Sequence, residues 1–487
     1  MVNDSPGARV RISGARFSVG PVTKLAYGVG ALTDSIKTFA FITFLLFYYT
    51  TVLGLPGRML GLAMSVGLVF DAVIDPLIGH ISDRLAPSFG RRHSFMLVGA
   101  VSAGISFIAV FNPPGGLSTG LLFAWLMVSS LCLRSSCSLF MVPYYALGAE
   151  LATDSHERTT ISGYRAGMVL AGTLLATGVA FVVFLPQDVV TGVDAKFTAG
   201  SYEDMGVAFG VAMVIAGLTA TLGTLHTRPH LPTSSAVSGN RVAIWTSVAE
   251  TFRNRSFRIL LLCSSWSVMG AAINGALAMH FLTYHARIAA GQAFTFYFGA
   301  FYAGALVGVL VWVRVARTVE KHHLLAATTI ITSLIVSAGY WLVGEGRPLG
   351  TGNVWIPAIG NGLAGFFGIA GGVILPSMMA DVTAHDEAAA GRRRDGIFFG
   401  VYSFSQQLSS GVAVLIAAGL VEGFAGLVPA QVTQSAATSE RLAMVACLIP
   451  AAILAGAGFA ALLYRRPEPA LLYAELAVSA ERPQAPA

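Results

Sequence analysis

Long apolar runs separated by short polar breaks dominate the chain. A helix that crosses a bilayer needs about 20 mainly apolar residues. Twelve stretches meet that need: 25–52, 59–82, 94–112, 118–149, 162–186, 206–226, 258–284, 291–313, 323–344, 352–380, 396–421 and 442–464. The polar stretch 227–257 is the longest break near the middle and divides them six and six. The pattern predicts an all-α membrane protein with twelve transmembrane helices. Residues 1–24 form a polar, basic lead, 25–226 a first bundle, 227–257 a linking loop and 258–464 a second bundle. The tail 465–487 holds Pro, Ala and scattered charges and is expected to be poorly ordered. The lead has no apolar core, so no cleaved signal peptide is expected.

Charge placement orients the spans. With both termini in the cytoplasm, 23 of the 30 Lys and Arg residues fall in cytoplasmic segments and five in outer segments. The other two, Lys37 and Arg134, fall within spans. This is the positive-inside bias. It predicts a multi-pass protein of a bacterial inner (cell) membrane with both termini cytoplasmic. Only 11% of the residues are charged, against about 25% in soluble proteins. The pI of 9.2 does not point to nucleic acid, because the basic residues sit in short clusters between apolar runs. The four cysteines lie in apolar segments without metal-type spacing, so they read as reduced packing residues. No Lys follows a Gly, which excludes a GxxxxGK[ST] phosphate loop, and no HExxH occurs. The chain is read as no enzyme and without a bound cofactor, a polytopic membrane enzyme being the alternative from another class.

The most informative stretch is 70–92, FDAVIDPLIGHISDRLAPSFGRR. Asp71 and Asp75 are four residues apart and share one helical face. Each charged Asp near a bilayer centre costs roughly 2.5–3.5 kcal/mol. Two of them one turn apart also repel, which calls for a proton or another cation between them. The plain alternative is a structural pair satisfied by an Arg or by backbone groups.

The halves also repeat. Val142-Pro143 precedes Glu150, Asp154, Glu157 and Arg158, and Leu375-Pro376 precedes Asp381, Asp386, Glu387 and Arg392–Arg394. Corresponding positions in two six-span halves indicate a parallel internal repeat.

These residues resemble a known family. Lys24–Gly30 (KLAYGVG), Phe47-Tyr48-Tyr49-Thr50, Asp71-x-x-x-Asp75-Pro76 with Gly79 and Asp83-Arg84, Val142-Pro143-Tyr144, and Arg394-Asp395-Gly396 with Phe399-Gly400 are similar to the glycoside–pentoside–hexuronide:cation symporters. This is the melibiose-permease type within the major facilitator superfamily. The lysolipid symporters share DxxxDP and VPY. The resemblance implies the major facilitator fold, two six-helix bundles related by a pseudo-twofold axis, working by alternating access. It implies that Asp71 and Asp75 hold the coupling cation, H+ or Na+, with Ser138 in the place of a third polar ligand. It maps sugar contacts onto Asp34 and Arg165. The chain departs from the family pattern at Ile74, Met141 and Ser410, which stand where the family has an Asn, a sugar-binding Asp and a coupling Lys. Two carboxylates without further oxygen ligands suit a proton better than a hard metal cation.

Other polar residues lie at depth. Arg134 shares a face with Ser138 and either pairs with Asp71 or Asp75, replacing the missing Lys, or snorkels to the outer interface. Asp34 and Lys37, three apart, form an ion pair or leave Asp34 to accept hydroxyls. Tyr164 is the best ring-stacking candidate, with interfacial belts the reading for Tyr27, Tyr48, Tyr144 and Tyr145. Gln406 and Gln407 lie near the midplane, and His280 reads as a helix-end residue. Asp83, Arg84, Arg91 and Arg92 are expected to form a cytoplasmic latch, with Glu150, Arg158, Asp381 and Arg392 in the counterpart networks. The expected partners are a small polar solute, a monovalent cation and the bilayer, with the chain as a monomer. The expected function is cation-coupled symport of a sugar, glycoside or related solute, with a lysolipid carrier as the runner-up, favoured by Met141 and the Phe-rich spans.

Overall fold

The computed structural model describes residues 19–84, 90–151, 155–186, 194–230, 249–288, 291–390 and 395–464. The helices are α1 (Pro21–Leu45), α2 (Gly57–Arg84), α3 (Arg91–Phe111), α4 (Thr119–Glu150), α5 (Ser155–Val179) and α6 (Ala199–Gly223). After the central segment come α7 (Arg255–His280), α8 (Gln292–Val315), α9 (Lys321–Leu342), α10 (Trp355–Ala390), α11 (Asp395–Gly423) and α12 (Ala436–Leu462). Among the described residues, eleven of the twelve are long and apolar enough to cross a membrane. The other, α2, has 28 residues and carries Asp71 and Asp75.

Each of the twelve predicted stretches overlaps one helix, and local details differ at a few points. Helix α1 is interrupted at Gly30, where it passes close to α4 and α6. A Cβ there would stand 2.7 Å from the Ala220 Cβ and 2.8 Å from the Tyr144 ring. Pro143 and Pro376 do not end helices. They lie inside α4 and α10, of 32 and 36 residues. Within a bundle, neighbouring helices and hydroxyls accommodate the backbone groups a proline frees.

The two halves repeat one packing scheme. Helix α2 packs on α4, α3 on α4 and α6, and α1 on α5 and α6. In the same order α8 packs on α10, α9 on α10 and α12, and α7 on α11 and α12. This is the major facilitator architecture, two six-helix bundles related by pseudo-twofold symmetry. Across the seam α2 meets α11 and α5 meets α8, which are again symmetry-related pairs.

Small residues let helices approach closely in a bilayer. Added Cβ atoms at Gly304 and Gly365 would run into the backbone oxygens of Gly362 and Phe301, so α8 and α10 cross nearly backbone to backbone. Overpacking typically costs about 1–3 kcal/mol, and backbone leaves little room to yield. Gly304→Leu is therefore expected to prevent folding or sharply lower the melting temperature. Gly299→Ala, with nothing within 4 Å of its Cβ, is expected to leave it unchanged.

The bundles meet at the end that the charge bias assigns to the outside. The Arg58 backbone N–H donates to Glu422 Oε2 at 2.9 Å. Phe181 stacks on Phe298 with centroids 5.2 Å apart. In the loop before α6, buried Lys196 pairs with Asp194 at 2.6 Å and donates to the Ile288 carbonyl of the other bundle at 3.3 Å. Burial pushes the Lys196 ammonium below the usual lysine range, and Asp194 opposes that shift. His280 is the last residue of α7. It is fully buried at this seam, between the rings of Phe47 and Tyr284.

Candidate functional site

The α2–α4 crossing corresponds by symmetry to the glycine-lined α8–α10 crossing, and it is built differently. Gly67 lies one turn before Asp71. A side chain at Gly67 would occupy the space taken by the Arg134 guanidinium. That gap lets Arg134, on α4, lie along α2 and form an ion pair with Asp71. Both side chains are largely shielded, 17% and 18% exposed. Arg134 therefore does not snorkel.

On α1, Lys37 Nζ donates to Asp34 Oδ1 at 2.7 Å. The two pairs belong to one cluster. Lys37 and Asp75 both act electrostatically on Asp71, and Arg134 acts on Lys37. Asp71 Oδ1, Asp75 Oδ1 and Arg134 Nε are buried without a hydrogen-bond partner. The two ion pairs, Lys37 with Asp34 and Arg134 with Asp71, each balance, which leaves Asp75 as the carboxylate of the three in no ion pair among the described residues. One negative charge is left over, next to two oxygens able to accept. A charge in low dielectric is stable only when it is paired. One bound monovalent cation would make the cluster neutral.

Ser138 is buried on α4 one turn beyond Arg134. Arg165, on α5, stands over the Tyr145 ring at 5.0 Å. Its charge also reaches Tyr27, and Asp34 acts on the same Tyr145. Asp34 on α1 and Arg165 on α5 thus both lie within electrostatic reach of Tyr145. Tyr164 is half-buried, and its backbone lies where Gly28 lets α1 and α5 close together. Tyr27 and Tyr144 are not interfacial. They stack at 4.4 Å, and each hydroxyl donates to the other residue's carbonyl, a lock between α1 and α4. Tyr48 is likewise buried and donates to the Phe111 carbonyl.

Several expectations need correction. Met141 is buried in the apolar core of the first bundle with Tyr144 and Met96, so it offers no surface to a solute. Gln406 donates to Ser264 Oγ and the Tyr402 hydroxyl, both in its own bundle, whereas Gln407 is exposed. The latch pairs seen among the described residues stay within one bundle. Arg92 is buried and donates to Glu150 at 2.9 Å and to Ser82 at 3.3 Å, within the first bundle. Asp381 pairs with Lys321 at 2.5 Å, within the second. Neither pair bridges the bundles in this conformation. The side chains of Asp83, Arg84, Arg91 and Arg158, and Arg392 as a whole, lie outside the described residues. Sequence reasoning missed the Lys24–Glu157 pair at 3.0 Å, because its partners are too far apart in the chain for any local pattern to link them.

The profile of the MFS/sugar transport protein family matches residues 26–467. The chain belongs to this family. It is 25% identical to the putative glycoside/cation symporter YagG of Escherichia coli over 91% of each chain. It is 24% identical to the isoprimeverose transporter of Lactiplantibacillus pentosus, covering 87% of this chain and 84% of that one. Among solved structures, the inward-facing, occupied bacterial homologue of the human lysosomal transporter Spinster has a TM-score of 0.64 at 13% identity. The match covers 92% of this chain and 97% of that one. At that identity the likeness speaks for the fold alone. Family members are transporters, and the charged cluster of α1, α2 and α4 lies inside the membrane-spanning part of one.

Proposed function

We propose that the protein couples the passage of a sugar, glycoside or related polar solute to one monovalent cation, by alternating access in a bacterial inner membrane with both termini cytoplasmic. The observation that carries this reading is the odd charge of the cluster. Two ion pairs balance, Asp75 is in none among the described residues, and both α2 aspartates keep an oxygen without a partner. Reorientation moves the cluster past apolar surface, which a net charge opposes and a bound cation permits.

The donor set favours a proton. Arg134 already holds one Asp71 oxygen, and a hard cation takes several oxygens. Among the described residues no group of three His, Cys, Asp or Glu is placed to hold a metal ion. Asp34 and Arg165 offer the solute an acceptor and a fork of donors, suited to hydroxyls. The lysolipid reading loses its support at Met141, which is buried in the core.

A thermal-shift screen of the purified protein tests this. Sugars, glycosides and lysolipids would each be presented at neutral pH, at low pH, and with Na+ or Li+. Stabilisation by a sugar or glycoside that grows when the cation is supplied is the expected result. Stabilisation by lysolipid alone would overturn the reading.

A further inference from the structure

The second bundle holds a cavity of 410 Å³ that the charged cluster does not use. It reaches all six helices of that bundle, and Ile42 and Thr43 of α1 close it from the first bundle. Among the described residues, no charged side chain lines it. Its polar groups are amides and hydroxyls, among them Asn274, Asn361, Tyr302, Thr332 and Ser410. Asn274 donates to the Ala446 carbonyl at 3.0 Å, and Asn361 to the Tyr297 carbonyl at 2.9 Å. Each amide has one N–H engaged, so its oxygen can accept from a ligand and its second N–H can donate. Tyr297, Phe298, Phe301 and Tyr302 line it along one helix. Aromatic side chains, a few hydroxyls and two amides match a flat neutral ring.

The cavity stands at a definite distance from the charged site. Ile42 lies eight residues beyond Asp34 on α1, about 12 Å along the axis. One ring held at Asp34 and Arg165 cannot also fill the cavity. A solute of two joined parts can. We infer that this cavity is a subsite for the neutral second part of a glycoside, its aglycone or second ring, while the first ring is held at Asp34 and Arg165. The inference rests on the transport reading above and adds which kind of sugar is favoured.

The test narrows the cavity without touching the charged cluster. A Cβ at Gly368 meets only Thr332, at 3.8 Å, an ordinary contact. Gly368→Ala is therefore the control, and Gly368→Leu fills the space from α10. Ala271→Leu fills it from α7 and carries the test should Gly368→Leu not fold. Uptake into proteoliposomes would be measured for glucose, galactose and xylose and for their phenyl β-glycosides. The expected result is a tenfold or greater loss of phenyl glycoside uptake in either leucine variant, with free sugar uptake within twofold of the parent. Folded leucine variants that lose both classes equally, or neither, would overturn the subsite alone. A parent that takes up neither class would overturn the transport reading and the subsite with it.

Discussion

Asp75→Asn protein is expected to exchange solute across the membrane but not to concentrate it. The reasoning is a charge count. In the parent, the cluster of Asp34, Asp71, Asp75, Lys37 and Arg134 carries one net negative charge and is neutral only with a cation bound. Asparagine at position 75 makes it neutral without one. The cluster is then permanently in the state that can reorient, and the cation has nothing to balance. A potential of 100 mV supplies roughly 2.3 kcal/mol per charge, which corresponds to about fifty-fold accumulation. The variant is expected to bring that ratio to one while counterflow of labelled solute persists. Accumulation equal to the parent's, with the same dependence on pH and Na+, would show that the cation binds elsewhere.

Arg134→Ala is expected to do more damage than Asp75→Asn, because it makes the imbalance worse. The cluster would then carry two net negative charges, and Asp71 would lose its partner while still shielded by α4. Removing one member of a buried pair typically costs about 3–5 kcal/mol. Transport should be lost and the melting temperature should fall. The informative variant is the double substitution Arg134→Ala with Asp71→Asn. It restores one net negative charge, held by Asp75 with Asp34 and Lys37. Stability and part of the cation-dependent uptake are expected to return. A double variant no better than Arg134→Ala alone would mean that the pair acts through packing against Gly67 and not through charge.

Much of this was legible in the sequence because bilayer physics is coarse. Twenty apolar residues mark a span, and clusters of Arg mark a side. Asp71 and Asp75 stood out for the same reason, since acids at that depth need a cause. Arg134 was harder. Its sequence neighbours allow pairing or snorkelling, and the choice depends on Gly67, a residue of another helix that gives no signal by itself. Arg92 is a similar case. It meets Glu150 across 58 positions, and nothing local distinguishes that partner from an acid in the facing bundle. Met141 stands where the family has a sugar-binding Asp, whereas the rotation of α4 turns it into the core with Tyr144. The neutral cavity leaves no motif at all. Its walls are small, aromatic and polar residues from seven helices, and only the fold assembles them.

The ion movement that accompanies solute entry is the most direct test. Proteoliposomes would carry a transported sugar or glycoside in the external medium, with proton or Na+ flux recorded alongside uptake. One cation entering per solute molecule in the parent, and none in Asp75→Asn protein that still performs counterflow, is the predicted result. Solute entry without ion movement in the parent, or equal ion movement in both proteins, would contradict the assignment of the coupling site to the α2 aspartates.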